Sequence, residues 1–132
     1  MAFQIINSII SWFLKKRIHQ IELFTKYPND VQEELLLRLI NTAKNTEFGI
    51  EKEFTAIHKY TDFRKKVPIQ QYETFEPLIE RCRKGTQNLF WPTPIKWFAK
   101  SSGTTNAKSK FIPVSDDALE YCHLKAGKDM LC

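Results

Sequence analysis

The sequence predicts an α/β chain, with helices first, then a strand–loop–strand unit, then a closing helix. Three observations lead there. Apolar residues recur at helical spacing through the first 85 residues. Two short runs near positions 95–100 and 110–114 instead alternate with period two. Between those runs lies a stretch of small and hydroxylated residues, Ser101-Ser102-Gly103-Thr104-Thr105, that leads into Lys108 and Lys110.

Taken in order, residues from about Phe3 to Phe24 read as an amphipathic helix. Ile6, Ile9, Ile10 and Phe13 start its stripe, and Leu14, Ile18 and Ile21 continue it. The apolar face and the cluster Lys15-Lys16-Arg17 also suit a membrane-surface helix. Packing on the protein body is the expectation here. Pro28-Asn29-Asp30 opens a second helix, with Asp30 and Glu33 at N-cap and N3 spacing. Its expected buried stripe is Val31, Leu35, Leu36, Leu39, Ile40 and Ala43. Asn45-Thr46-Glu47-Phe48-Gly49 reads as the stop, with Gly49 free to turn left-handed.

Glu51 to Lys66 reads as a loop and a short helix capped by Thr61. Val67-Pro68 breaks it, because the residue before proline disfavours the α region. Thr74 caps the next helix, which ends near Lys84 with Gly85 as terminator. Arg81, Arg83 and Lys84 in its last turn complement the helix dipole. Tyr72-Glu73 at its entry reads as a packed aromatic beside an exposed acid. Ile95, Trp97 and Ala99 form one face of the first strand, and Trp91 and Trp97 are expected in the core. Pro113 suggests an edge position for the second strand. Ser115 caps the last helix, and Asp116 and Asp117 lie in its first turn.

Composition narrows the function. A hydrophobic share of 42% and an aromatic share of 13% in 132 residues support a folded core and exclude a disordered chain. The net charge of +5 is spread evenly: 11 Lys/Arg against 8 Asp/Glu in the first 66 residues, and 9 against 7 in the rest. That evenness argues against a nucleic-acid stripe. No run reaches the roughly 18 apolar residues of a membrane span, so no membrane partner is expected. Cys82, Cys122 and Cys132 are odd in number and lack C-x-x-C spacing. Reduced thiols and a cytoplasmic location are expected, with no metal site. His58 stands alone, and the neighbours Cys122 and His123 point about 100° apart on a helix.

The hydroxyl-rich loop has two readings. Successive backbone N–H groups in a tight turn make a nest for anions, and Ser, Thr and Lys side chains add donors and charge. Gly103 lets a phosphate approach the backbone. The same residue types also form ordinary polar hairpin loops. Known phosphate loops do not match. Counting from Gly103, the second glycine of a Walker A loop falls on Lys108, and the four glycines lie too far apart for a dinucleotide fingerprint.

Ser101-Ser102-Gly103-Thr104-Thr105 with a following lysine resembles the phosphate-binding loop of acyl-adenylate-forming enzymes. Upstream stand Val67-Pro68-Ile69-x-x-Tyr72-Glu73, Pro77-x-Ile79-x-Arg81-x-x-x-Gly85 and Pro94-Ile95-x-x-Phe98. With Lys110-x-x-Pro113 downstream, the set resembles the auxin-responsive acyl-acid amido synthetase family, and its bacterial-type members more than the plant ones. The likeness runs from about Thr46 to the end. It implies an ATP-dependent ligase. A carboxylic acid substrate attacks the α-phosphate of ATP, pyrophosphate leaves, and an amine acceptor such as an amino acid takes the acyl group. The resemblance places Ser101, Ser102, Gly103, Thr104, Thr105 and Lys110 on the ATP phosphates, with Mg²⁺ sharing the charge and Lys108 as a further contact. No residue is assigned to catalysis itself. Family enzymes are several times longer, so residues 1–132 are expected to be an N-terminal part of an acyl-adenylating domain and inactive alone. The alternative is a non-catalytic truncated module that binds ATP or a partner protein.

Overall fold

The computed structural model describes residues 2–102 and 109–130. The chain is mostly helical, with one two-stranded antiparallel sheet near its C-terminal end. The helices-first order and the strand–loop–strand unit match the sequence prediction. Several boundaries do not.

Helix α1 spans Ala2–Lys26 and α2 spans Pro28–Ala43. Asp30 is not the cap of α2. Pro28 takes the first turn, where its missing N–H costs nothing and its fixed φ suits a helix, so the helix starts before Asp30. The α2 stripe is also narrower than predicted. Ile40 and Ala43 are buried, while Leu35 and Leu39 stay exposed. Arg17 of α1 reaches Asp129, at the far end of the chain, through two 2.5 Å bonds.

The predicted stop at 45–49 is a helix of its own, α3, Glu47–Glu51. Thr46, fully buried, organises it. Its Oγ1 accepts from Gly49 N at 3.0 Å, and its hydroxyl donates to Ala43 O at 2.7 Å. Gly49 is therefore not a left-handed terminator. It is required for close approach: a Cβ there would stand 2.1 Å from the carbonyl oxygen of Ala43. The N-terminal amides of α3 are satisfied by another segment. Glu47 N donates to Asn88 O and Phe48 N to Leu89 O. Asn88 takes a left-handed φ of 58°, which Asn tolerates well, and its side-chain amide donates to Asn45 O.

A 3₁₀ turn at Phe54–Ala56 leads to α4, Tyr60–Lys66, and then to α5, Tyr72–Arg83. Lys59 and Gln71 occupy the cap positions predicted for Thr61 and Thr74, and neither caps through its side chain. Entry into α4 is instead supported by Asp62, whose carboxylate accepts from His58 N. Gly85, at φ 101°, ends α5 as predicted. Gly85 N donates to Cys82 O and Thr86 N to Arg81 O, the paired bonds of a Schellman motif.

Strands β1 (Trp97–Lys100) and β2 (Phe111–Val114) pair with Trp97 opposite Val114 and Lys100 opposite Phe111. After β2, Ser115 caps α6, Asp116–Ala118, by accepting from Ala118 N. The helix continues through a wide π-helical stretch, Leu119–Leu124, into α7, Lys125–Asp129.

Two buried clusters make the core. One joins Ile40, Ala43, Phe54 and Ile57; the other joins Cys82, Leu89 and Ile95. Trp91 packs against both, and its indole N–H donates to Asp117 at 2.7 Å. Trp97 is a correction. It is 60% exposed, and Phe98 packs inward instead. Ile95 is buried but lies before the strand, with its N–H held by the Gln87 side chain. The period-two alternation starts only at Trp97, so its phase is reset.

Candidate functional site

The hydroxyl-rich loop is closed by β1 and β2. Ser101 N donates to Lys110 O, and Lys110 N donates to Ser101 Oγ, both at 2.9 Å. One turn-like ring of bonds therefore seals the stem. Ser101 Oγ uses a lone pair on Lys110 and keeps its own proton for a further acceptor. Ser102 follows and is exposed. Gly103, Thr104, Thr105 and Lys108 lie outside the described residues. Of the predicted site, Ser101, Ser102 and Lys110 can therefore be placed, and Ser101 and Lys110 face each other across the stem.

Helix α5 adds two residues, Tyr72 and Glu73, for which the sequence favours a structural role over a catalytic one. Tyr72 is the first residue of α5. Its hydroxyl accepts from Phe111 N at 3.0 Å and donates to Phe111 O at 3.2 Å. One side chain thus satisfies both backbone groups of the residue next to Lys110. Glu73 Oε1 lies 3.0 Å from Lys110 Nζ, and that ammonium also stands 4.8 Å from the centre of the Tyr72 ring. The Glu73 carboxyl is held below the usual carboxylate range, chiefly by its own backbone N–H and then by Lys110. Arg83, from the far end of α5, stacks over the Phe111 ring at 3.8 Å and pairs with Glu80.

No local signal could have found this clamp, because Tyr72 and Phe111 are 39 positions apart. The adjacency of Tyr72-Glu73 was visible, but its partner was not.

Among the described residues no group of three or more His, Cys, Asp or Glu could hold a metal ion. Among them no helix is long and apolar enough to cross a membrane. Cys82 and Cys122 are free thiols, and burial pushes the Cys82 thiol up. A shallow groove of about 490 Å³ lies between α1 and Asp129, away from the loop stem.

Residues 17–131 match the family described as the GH3 family N-terminal domain. The chain belongs to the GH3 family. Among GH3 relatives, the chain is 30% identical over 106 residues to the indole-3-acetic acid-amido synthetase GH3.2 of Arabidopsis thaliana, covering 80% of this chain and 19% of that protein. It is 32% identical over 110 residues to the jasmonoyl–L-amino acid synthetase JAR6 of Nicotiana attenuata, covering 80% and 18%. A jasmonoyl–L-amino acid synthetase of Oryza sativa subsp. japonica is 29% identical over 111 residues, with the same coverage. The chain therefore spans about a fifth of the length of the GH3 relatives it matches. The resemblance read from the loop and its ordered upstream motifs is borne out at the level of the family.

Proposed function

We propose that this chain is the phosphate-holding, N-terminal part of an ATP-dependent acyl-acid amido synthetase of the cytoplasm. Membership of the GH3 family, whose relatives are named as amido synthetases, is the observation that carries the reading. The stem geometry supports it. Ser101 Oγ has a proton left to donate, and Lys110 brings a positive charge to the same end of the sheet. Ser102, Gly103, Thr104 and Thr105 complete the proposed donor set for the ATP phosphates, with Lys108 as an added cation.

The proposed reaction has two steps. A carboxylic acid oxygen attacks the α-phosphorus and the bond to pyrophosphate breaks. An amine then attacks the acyl carbonyl and AMP leaves. This part of the chain acts on the first step, by placing fixed donors and charge where the leaving pyrophosphate gains negative charge. Mg²⁺ that travels with ATP would take ligands from phosphate oxygens and water here, since the described residues offer no carboxylate cluster. Orientation of the acyl group against the α-phosphate is a separate requirement that supplies much of the rate. It belongs to the four-fifths of the relatives' length that this chain does not span. The 132-residue chain is therefore expected to bind ATP and not to form adenylate. Titration calorimetry with ATP tests the first half, and pyrophosphate exchange into ATP in the presence of carboxylic acids tests the second. Absence of ATP binding, or exchange by the chain alone, would overturn the corresponding half.

A further inference from the structure

We propose that Glu73 is a built-in counter-anion for Lys110, one that holds the lysine when no phosphate is bound and that polyphosphate must displace. The proposal rests on the phosphate-loop reading above and adds the group that competes with phosphate for its lysine.

The geometry is specific. Lys110 Nζ is 3.0 Å from Glu73 Oε1 and sits against the Tyr72 ring. Its own backbone N–H is tied to Ser101 Oγ, and the next residue is tied on both backbone groups to the Tyr72 hydroxyl. Backbone and ammonium are thus fixed by consecutive residues of one helix entry. The neighbouring cation, Arg83, is already engaged with Glu80 and the Phe111 ring. Lys110, at the end of the stem, has its acid partner on the entry of α5.

An ordinary surface pair contributes little, and this one is not deeply buried: the side chains are 42% and 61% exposed. That weakness is what the role requires. A partner worth a small factor fixes the lysine's rotamer without preventing transfer to a multiply charged ligand, which offers stronger charge-assisted bonds. Removing the carboxylate's charge should then help the ligand, because the negative charge nearest the lysine no longer repels it.

The test uses the 132-residue chain with sodium tripolyphosphate as probe, titrated calorimetrically at low and high salt. Wild type, Glu73→Gln, Lys110→Ala and the double variant are compared, with equal melting temperatures for the two single variants as the folding check. Glu73→Gln is expected to tighten binding roughly two- to fivefold at low salt, the scale of one exposed charge pair, with the gain shrinking as salt rises. Lys110→Ala is expected to weaken binding, and in its background Glu73→Gln should give no gain. If Glu73→Gln binds no tighter than wild type while Lys110→Ala weakens binding, the counter-anion proposal alone is overturned. An equal gain in the Lys110→Ala background overturns it too, since the effect would then be diffuse charge. If wild type does not bind, or Lys110→Ala binds as well as wild type, the phosphate-loop reading itself falls and the proposal with it.

Discussion

Replacing Gly49 with alanine places a methyl group where the fold has no room. The added Cβ would meet Ala43 O at 2.1 Å, Ala43 C at 3.0 Å and Lys44 C at 3.1 Å, all of them backbone atoms. Ordinary contact begins near 3.4 Å, so α3 and the end of α2 must separate by about 1.3 Å. That carbonyl accepts from Thr46 N at 3.0 Å and from the Thr46 hydroxyl at 2.7 Å. Opening the contact stretches both bonds past useful length. Two lost bonds cost about 2 kcal/mol, and overpacking adds about 2 kcal/mol. Better helix propensity for alanine returns about 1 kcal/mol. The expected net loss is about 3 kcal/mol. For a urea slope of about 2 kcal/mol/M, the midpoint falls by roughly 1.5 M. Gly127 is the internal control. It lies exposed in α7, and a Cβ there would meet nothing within 4 Å, so Gly127→Ala should stabilise by about 0.5–1 kcal/mol. Urea unfolding followed by circular dichroism reads both variants. A Gly49→Ala midpoint within about 0.5 M of wild type at unchanged slope would refute the close-approach argument.

Thr46→Val keeps the shape but leaves Gly49 N without its cap and Ala43 O without one donor; a loss of about 2 kcal/mol is expected in the same assay, while Thr46→Ser keeps both bonds and loses about 1 kcal/mol for its buried methyl. Gly85→Ala forces a φ of 101° on a side chain and should cost about 1–2 kcal/mol by thermal melting. Tyr72→Phe keeps the ring under Lys110 and removes both bonds to Phe111, so the Phe111 amide should exchange with deuterium faster while the α2 and α5 amides keep their protection. Acid should weaken the fold. Glu47, Glu53, Glu73 and Asp129 titrate below their ordinary values, Glu47 through Arg81, Glu53 through Lys66, Glu73 through its own N–H and then Lys110, and Asp129 through Arg17. Between the ordinary carboxyl values of the unfolded chain and the depressed folded ones, the unfolded chain holds more protons than the folded one. The stability these groups contribute is therefore complete at neutral pH and lost as pH falls through their depressed folded values. A melting temperature that stays constant from pH 6 to pH 3 would contradict this.

Much of the fold was legible because its signals are local. Ser115 caps a helix three residues upstream of the N–H it accepts, and Gly85 ends one by a conformation that glycine alone takes easily. The two strands could be read because short alternating runs flank the hydroxyl-rich stretch on both sides. The errors arose where two local signals competed or where the cause was distant. Asp30 looked like a cap, but Pro28 starts the same helix earlier. Gly49 looked like a helix end because glycine ends helices often; here its missing Cβ answers to a carbonyl six positions back. Trp97 and Phe98 are both large and apolar, so the alternation could not say which turns inward. The clamp of Tyr72 and Glu73 on Lys110 and Phe111 needs two segments 39 positions apart to meet, and no window of sequence contains it.

The Tyr72 hydroxyl has a second consequence, for association between chains. Phe111 and Pro113 present the backbone groups of β2 that point away from β1. A strand edge left bare in this way templates pairing with foreign chains. Here Tyr72 consumes the N–H and the C=O of Phe111, and Pro113 has no N–H to give. Along this border a visiting strand would find a single carbonyl. The β2 edge of the loop stem is thereby shielded from edge-to-edge recruitment by one phenol and one imino acid.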